Sequence, residues 1–153
     1  MKWIDVSTGW SHVVVWGITN GRGDKRIYIA WGRNDMGQLS CCGENNCSNT
    51  YISLPQIVHA PIEDYVEKPL KQITCGSEYT LSLSYDGRLF GCGWNEHGNL
   101  GTGDVINGRE GWREVIVDTN NYHQENEHDN IHTHQSQPIA VAAGGAHCLV
   151  SLH

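Results

Sequence analysis

The sequence is poor in phenylalanine and methionine, with one Phe and two Met among 153 residues. It contains no apolar run approaching the roughly 18 residues that a membrane-spanning helix requires. The segment from Met1 to Asp5 lacks the long apolar stretch of a secretory signal. We therefore expect a protein inside the cell that has no membrane partner.

Positive charge is also scarce. Ten Lys and Arg residues stand against 17 Asp and Glu, which gives a formal net charge of −7. A surface that binds a nucleic-acid duplex usually contains a basic stripe, and no such stripe occurs here. The charge pattern therefore argues against direct contact with nucleic acid.

Motifs of known enzyme classes are absent as well. The sequence has no phosphate-binding loop, no nucleophile elbow and no Cys-x-x-Cys pair. Gly101 to Asp104 is rich in glycine but precedes no predicted helix, so it offers no helix N-terminus to a phosphate. We expect a protein without catalytic residues and without a cofactor.

Two clusters of potential metal ligands occur in polar segments. Cys41, Cys42 and Cys47 lie in a polar loop, but zinc sites normally need four ligands at regular spacing. Four histidines lie in the polar stretch 120–137, which has too little apolar content to order itself; they are His123, His128, His132 and His134. An insert with incidental ligands is favoured over a metal site in both cases.

Glycine is abundant, with 18 residues, and it marks an internal repeat. Three similar segments occur at 4–15, 72–83 and 140–151, and their glycines, Gly9, Gly76 and Gly144, lie 67 and 68 residues apart. Each segment consists of two short apolar runs with glycine between them, a pattern that predicts two strands joined by a turn.

A second pattern follows each of the first two copies. Residues 28–39 and 89–100 share the core Gly-x-Asn-x-x-Gly-x-Leu, offset by 61 residues. A further strand is expected behind Pro55 and another behind Trp112, which makes four short antiparallel strands per unit. Such a unit is a propeller blade.

The predicted fold is all-β, a partial β-propeller of two four-stranded blades plus a half blade. The blades are expected at 1–70 and 71–138, the second with a flexible insert at 120–137, and the half blade at 139–153. The predicted strands are 4–8, 12–16, 27–31, 56–59, 72–75, 79–84, 88–92, 113–117, 139–143 and 147–152.

Two motifs recur in a fixed order: Gly-x-x-His precedes an apolar strand, and Trp31-Gly32 is followed by Gly37-Gln38-Leu39. This arrangement resembles the repeat of the regulator of chromosome condensation family. The resemblance implies a seven-bladed propeller. Members of the family end with the inner strands of a blade and begin with outer strands. This chain ends with inner strands and also begins with one, so the resemblance implies a C-terminal portion of a propeller. Tyr79 departs from the usual His of the family.

The segment Gly93 to Asn99 is similar to the final blade of fungal alpha-tubulin suppressor proteins. That resemblance implies a non-enzymatic accessory regulator, in the cytoplasm and nucleus, of transfer RNA wobble-uridine modification by Elongator and of diphthamide synthesis. Its partner would be a small zinc protein. The alternative is a guanine-nucleotide exchange factor for a small GTPase.

The candidate partner-binding residues are Arg33 and Asp35 in one blade and Trp94, Glu96 and His97 in the next. They occupy matching repeat positions, so they are expected on the same face of the propeller. His12 and His147, which recur at the blade period, are expected to serve the blade structure. Four tryptophans are expected to pack between blades: Trp10, Trp31, Trp94 and Trp112.

Overall fold

A computed structural model describes residues 1–19, 26–40, 50–58, 70–117 and 137–153. Within these ranges it contains ten strands and no helix. The strands are β1 (Lys2–Thr8), β2 (His12–Ile18), β3 (Arg26–Arg33), β4 (Tyr51–Val58), β5 (Leu70–Cys75), β6 (Tyr79–Ser84), β7 (Leu89–Gly93), β8 (Gly108–Glu114), β9 (Pro138–Ala143) and β10 (Cys148–Leu152). No helix in the described parts of the chain is long and apolar enough to span a membrane.

The strands form three antiparallel sheets in the order of the sequence. Strands β1 to β4 make blade one, β5 to β8 make blade two, and β9 with β10 make the half blade. Each sheet is built by pairing sequential neighbours, as short loops between antiparallel strands allow. The predicted all-β architecture of two four-stranded blades and a half blade is confirmed.

Two outer strands differ from the predicted positions. Strand β4 begins at Tyr51 and runs through Pro55, instead of starting behind it. Its pairing with β3 shifts register between Ala30 and Gly32, and an outermost strand tolerates a proline at such an irregularity.

Strand β8 lies earlier than the predicted 113–117, because it starts at Gly108, opposite Gly93 of β7. Gly108 and Gly111 resemble loop residues in the sequence. A side chain at Gly108 would lie 3.0 Å from the backbone of Cys92, so glycine permits close approach of the two strands here.

The first core lies between blade one and blade two. Val14 and Trp16 alternate along β2 with Val13 and Val15, so they share one face of the sheet. That face packs against Ile73 of β5, and all three side chains are at most 5% exposed. Full burial of side chains of this size stabilises the fold by about 1.5–3 kcal/mol each.

The second core lies between blade two and the half blade. Its side chains come mainly from β6 and β7, and Val141 of β9 closes it. Every residue of β6 is buried, because this strand has a packed blade on each side. The inner strands of blade two are therefore the most enclosed part of the described structure.

The expectation for the tryptophans was only partly right. Trp31 packs against the first core and is partly buried, and Trp94 and Trp112 are also partly buried. Trp10, however, is 83% exposed. The tryptophan at the centre of the interface is Trp16, which stacks on Tyr28 with ring centroids 6.5 Å apart.

Candidate partner-binding face

The alternating strand directions bring one set of loops to a single face, which we call the upper face. Its described loop residues are 9–11, 34–40, 76–78, 94–107 and 144–147. Each of these loops joins the first strand of a blade to the second, or the third to the fourth, so all five emerge at the same end of the strands.

Backbone hydrogen bonds tie these loops together across the blades. The Trp10 N–H donates to the Ser77 carbonyl at 3.0 Å, and the Ser77 N–H donates to the Gly144 carbonyl at 3.2 Å. The Trp94 N–H donates to the carbonyl of Glu78 at 2.9 Å. The upper face is therefore a connected surface rather than a set of independent loops.

The loops that carry the predicted residues are built by the same turn. The Leu39 N–H donates to Oδ1 of Asn34 at 3.0 Å, and the Leu100 N–H donates to Oδ1 of Asn95 at 2.8 Å. Both leucines are at most 1% exposed. Each turn is anchored by a buried leucine and held by an asparagine, so the side chains around it have fixed positions.

Arg33 lies at the boundary between the two blades. Its guanidinium donates to Asp35 at 2.5 Å and also pairs with Glu78 of blade two. The bond to Asp35 raises the pKa of Arg33. Burial raises the pKa of Asp35, but the bond and charge of Arg33 outweigh it, so that pKa is lowered overall. Arg33 and Asp35 form an ion cluster that joins the blades.

Trp94, Glu96 and His97 lie in the β7–β8 loop of the same face, and the Trp94 N–H bonds the carbonyl of Glu78. The rings of Trp94 and His97 meet edge to face, with centroids 5.1 Å apart. Glu96 and His97 are exposed, whereas Trp94 is partly buried. The five predicted residues thus lie on one face, with Arg33 and Asp35 engaged by neighbours and Glu96 and His97 exposed.

Sequence reasoning missed Trp10 as a surface residue. It has the largest exposed fraction among the large apolar side chains of the described residues. Its position between Gly9 and Ser11 at the tip of the β1–β2 turn was the available signal, because a turn tip projects beyond the strands that bury their side chains.

The repeated Gly-x-x-His position has a structural role in blade one. His12 is 2% exposed, and its Nε2 lies 3.0 Å from Oγ1 of Thr80 in blade two. Burial lowers its pKa to about 4, against a weaker opposing effect of its hydrogen bond with the backbone of Tyr79. A side chain at Gly9 would overlap the imidazole, so this glycine provides space and not the positive φ expected of a tight turn.

The equivalent residues further along the chain differ. Tyr79 is buried, and its hydroxyl donates to the carbonyl of His147 in the half blade. His147 itself is exposed. At the first two copies the side chain at this position reaches into the following blade. No blade follows the half blade in the described structure, so a structural role for His147 stays a prediction.

Within the described residues, no group of three His, Cys, Asp or Glu side chains is arranged to hold a metal ion. Cys41, Cys42, Cys47 and the four histidines of the polar stretch lie outside those residues. Burial raises the pKa of both the Cys75 and the Cys148 thiols, which lowers their reactivity as nucleophiles.

Two family models match the repeated region. Residues 28–83 match the regulator of chromosome condensation (RCC1) repeat, and residues 70–99 match a second model of the same repeat. Together the two matches cover residues 28–99, so the recurring segments at the centre of this chain are similar to that repeat.

Individual relatives agree with this assignment. The ultraviolet-B receptor UVR8 of Arabidopsis thaliana is 36% identical over 75 residues, which is 49% of this chain and 15% of the receptor. The human RCC1-like G exchanging factor-like protein is 30% identical over 100 residues, 65% of this chain and 19% of that protein. The chain thus spans less than a fifth of either relative.

Solved structures support the fold. The crystal structure of human WBSCR16 matches 99% of this chain and 31% of its own, with a TM-score of 0.64 at 21% identity. That of Prp20p from Saccharomyces cerevisiae, described with its binding properties to Gsp1p and histones, matches 94% of this chain and 29% of its own. Its TM-score is 0.63 at 15% identity. At these identities the likeness establishes the fold alone.

Proposed function

We propose that the chain is a non-enzymatic protein-interaction module that binds its partner through the upper face. The observation that carries this proposal is the connected set of loops, held by hydrogen bonds between blades, that leaves Glu96, His97 and Trp10 exposed. Rigid loops on a propeller suit recognition of another protein, because little conformational entropy is lost when they bind.

Two classes of partner are compatible with this face. A small GTPase, with the chain as part of an exchange factor, is supported by the G exchanging factor-like relatives of human and mouse. A small zinc protein, with the chain as an accessory regulator of wobble-uridine modification and diphthamide synthesis, is supported by the resemblance of Gly93 to Asn99 to the fungal suppressor proteins.

The two partner assignments predict different biochemical results. An exchange factor accelerates release of a fluorescent guanine nucleotide from its GTPase. The accessory regulator instead co-purifies with its zinc protein, and its loss lowers wobble-uridine modification. We expect one of these two assays to respond to the intact protein. If neither responds, both partner assignments are wrong.

The site is tested with the double variant Glu96→Lys/His97→Ala. Both side chains are exposed, so the variant should melt like the unmodified protein while losing at least about tenfold in affinity for the partner found above. Arg33 is left unchanged, because its removal would leave Asp35 and Glu78 facing each other without a cation.

The matched control is Tyr85→Ala in the β6–β7 turn. Tyr85 is 66% exposed, and its turn lies at the opposite end of the strands. Equal binding by both variants would place the interface away from the upper face.

A further inference from the structure

Trp10 presents a large apolar surface on a loop that is held in place. The side chain is 83% exposed. Its backbone N–H is bonded to the Ser77 carbonyl, and the neighbouring Gly9 N–H donates to the carbonyl of His12 at 2.9 Å. Tryptophan in a preordered position is among the residues that contribute most to binding energy once a partner covers it.

A cleft opens beside Trp10 where the inner loops of the three sheets meet. It has a volume of about 250 Å³ and is lined by Trp10, Ser77 and glycines of each loop, including Gly76, Gly144 and Gly145. Sites for drug-sized molecules start at about 300 Å³ and are largely enclosed. An open cleft of this size suits a single protruding side chain of a partner.

Negative charge predominates on the upper face. Its described loops contain four carboxylates, Asp35, Glu78, Glu96 and Asp104, and no lysine or arginine. Three arginines reach these loops from the strands: Arg33 pairs with Asp35 and Glu78, Arg113 pairs with Asp104, and Arg109 lies against Met36. Glu96 forms no ion pair among the described residues, so the face keeps a net negative charge.

Trp10 and Trp94 flank the acidic loop between β5 and β6. Trp10 is bonded to the carbonyl of Ser77, and Trp94 is bonded to the carbonyl of the next residue, Glu78. Two indoles therefore lie on either side of a loop that carries one carboxylate, Glu78. A cation is attracted to the face of an indole ring, and a nearby carboxylate adds to the attraction.

We infer that the upper face recognises a basic protein loop, whose lysine or arginine side chain enters the cleft beside Trp10 while a second cation meets Glu96. This inference rests on the proposed function and names the chemistry of its partner. An acidic partner is disfavoured, because it would bring carboxylates against Glu78 and Glu96.

The test uses the intact protein labelled with 5-fluorotryptophan and a short probe peptide that alternates glycine with arginine and lysine. Trp→Phe variants assign each fluorine resonance. We expect the Trp10 and Trp94 resonances to shift in a saturable manner that weakens at high salt. A peptide of the same length with aspartate and glutamate should leave them unchanged.

Calorimetric titration with the same probe measures the contribution of each residue. We expect Trp10→Ala to weaken binding at least about tenfold, and Glu96→Lys to weaken it about fivefold. The matched control is Trp3→Ala, which removes an indole that is 49% exposed at the other end of β1. This control should bind the probe like the unmodified protein.

Three results would overturn the inference: unshifted Trp10 and Trp94 resonances, equal binding of the acidic peptide, or equal losses with Trp3→Ala and Trp10→Ala. The proposed function is tested separately by partner capture. If capture depends on Glu96 and His97 while the basic probe does not bind, the upper face remains the interface and only the partner chemistry is wrong.

Discussion

The turns at 34–40 and 95–101 have the same internal structure but opposite surroundings. Gly37 has φ 83° and Gly98 has φ 71°, and each N–H bonds the carbonyl of the turn asparagine. The outer side of the first turn is covered by blade two. The outer side of the second is open in the described structure.

The contacts of the two glycines show this difference. A side chain at Gly37 would lie 2.5 Å from Cα of Arg109 in β8, whereas at Gly98 the nearest atom is the Asp104 carbonyl oxygen of its own loop, at 3.9 Å. The carbonyl of Gln38 accepts a hydrogen bond from Oγ1 of Thr80 at 2.8 Å. The repeat motif therefore determines the conformation of each turn, and the neighbouring blade determines which contacts the turn makes.

The largest expected effect comes from Gly37→Ala. Left-handed backbone costs a residue other than glycine about 1–2 kcal/mol, and the overlap with the β8 backbone costs about 1–3 kcal/mol more. We expect the free energy of unfolding to fall by about 2–5 kcal/mol, measured by urea denaturation.

Gly98→Ala is the matched variant for the open turn. It has the same backbone strain without the overlap, so the expected loss is about 1–2 kcal/mol. Equal losses for the two alanine variants would mean that contact between the blades adds nothing at Gly37, and the comparison of the two turns would fail.

A second expected effect is acid sensitivity at the interface that holds the covered turn. The pKa of His12 is about 4 in the folded protein and about 6.5 when unfolded, so the unfolded state alone binds this proton between those values. The stabilisation due to neutral His12 is fully present above pH 6.5. As the pH falls from 6.5 to about 4, the free energy of unfolding decreases by about 3 kcal/mol.

Thermal melts of the unmodified protein and His12→Gln across this range measure the effect. We expect the variant to have the shallower dependence on pH between 6.5 and 4. Parallel curves would show that His12 does not titrate as described.

Tyr79, the equivalent residue of blade two, should make the stability of the protein depend on pH in the alkaline range. Burial raises its pKa to about 12 from 10, because the charged phenolate is disfavoured. The unfolded state loses the proton first, so stability falls as the pH rises from 10 towards 12. Tyr79→Phe should remove this alkaline loss, as followed by circular dichroism.

The smallest expected effect on stability concerns two ion pairs, one between blades and one within a blade. Arg33 joins blade one to Glu78, with both side chains less than a third exposed, whereas Arg88 pairs with Glu114 at 39% and 55% exposure. We expect Arg33→Ala to lower the unfolding free energy by about 1 kcal/mol and Arg88→Ala by less than about 0.5 kcal/mol. A larger loss for Arg88→Ala would reverse the assignment.

Much of the fold was predictable from sequence, because the strands alternate apolar side chains and the turns repeat Gly and Asn at constant spacing. Strand β6 lies at the predicted 79–84 without change. Strand β8 was misplaced because its glycines, which allow close strand approach, also resemble loop residues. The candidate residues were placed at matching repeat positions, but their pairing partner Glu78 lies in a different loop and could not be identified from spacing.

The sequence by itself determined the repeat, the order of the strands and the turn that carries Glu96 and His97, since these depend on local backbone preferences and apolar alternation. The tertiary structure decided which equivalent residues became buried. His12 is enclosed by Thr80 of the next blade, whereas His147 is exposed and Trp10 projects from the upper face. Burial depends on what packs against a residue, and that neighbour comes from a distant part of the chain.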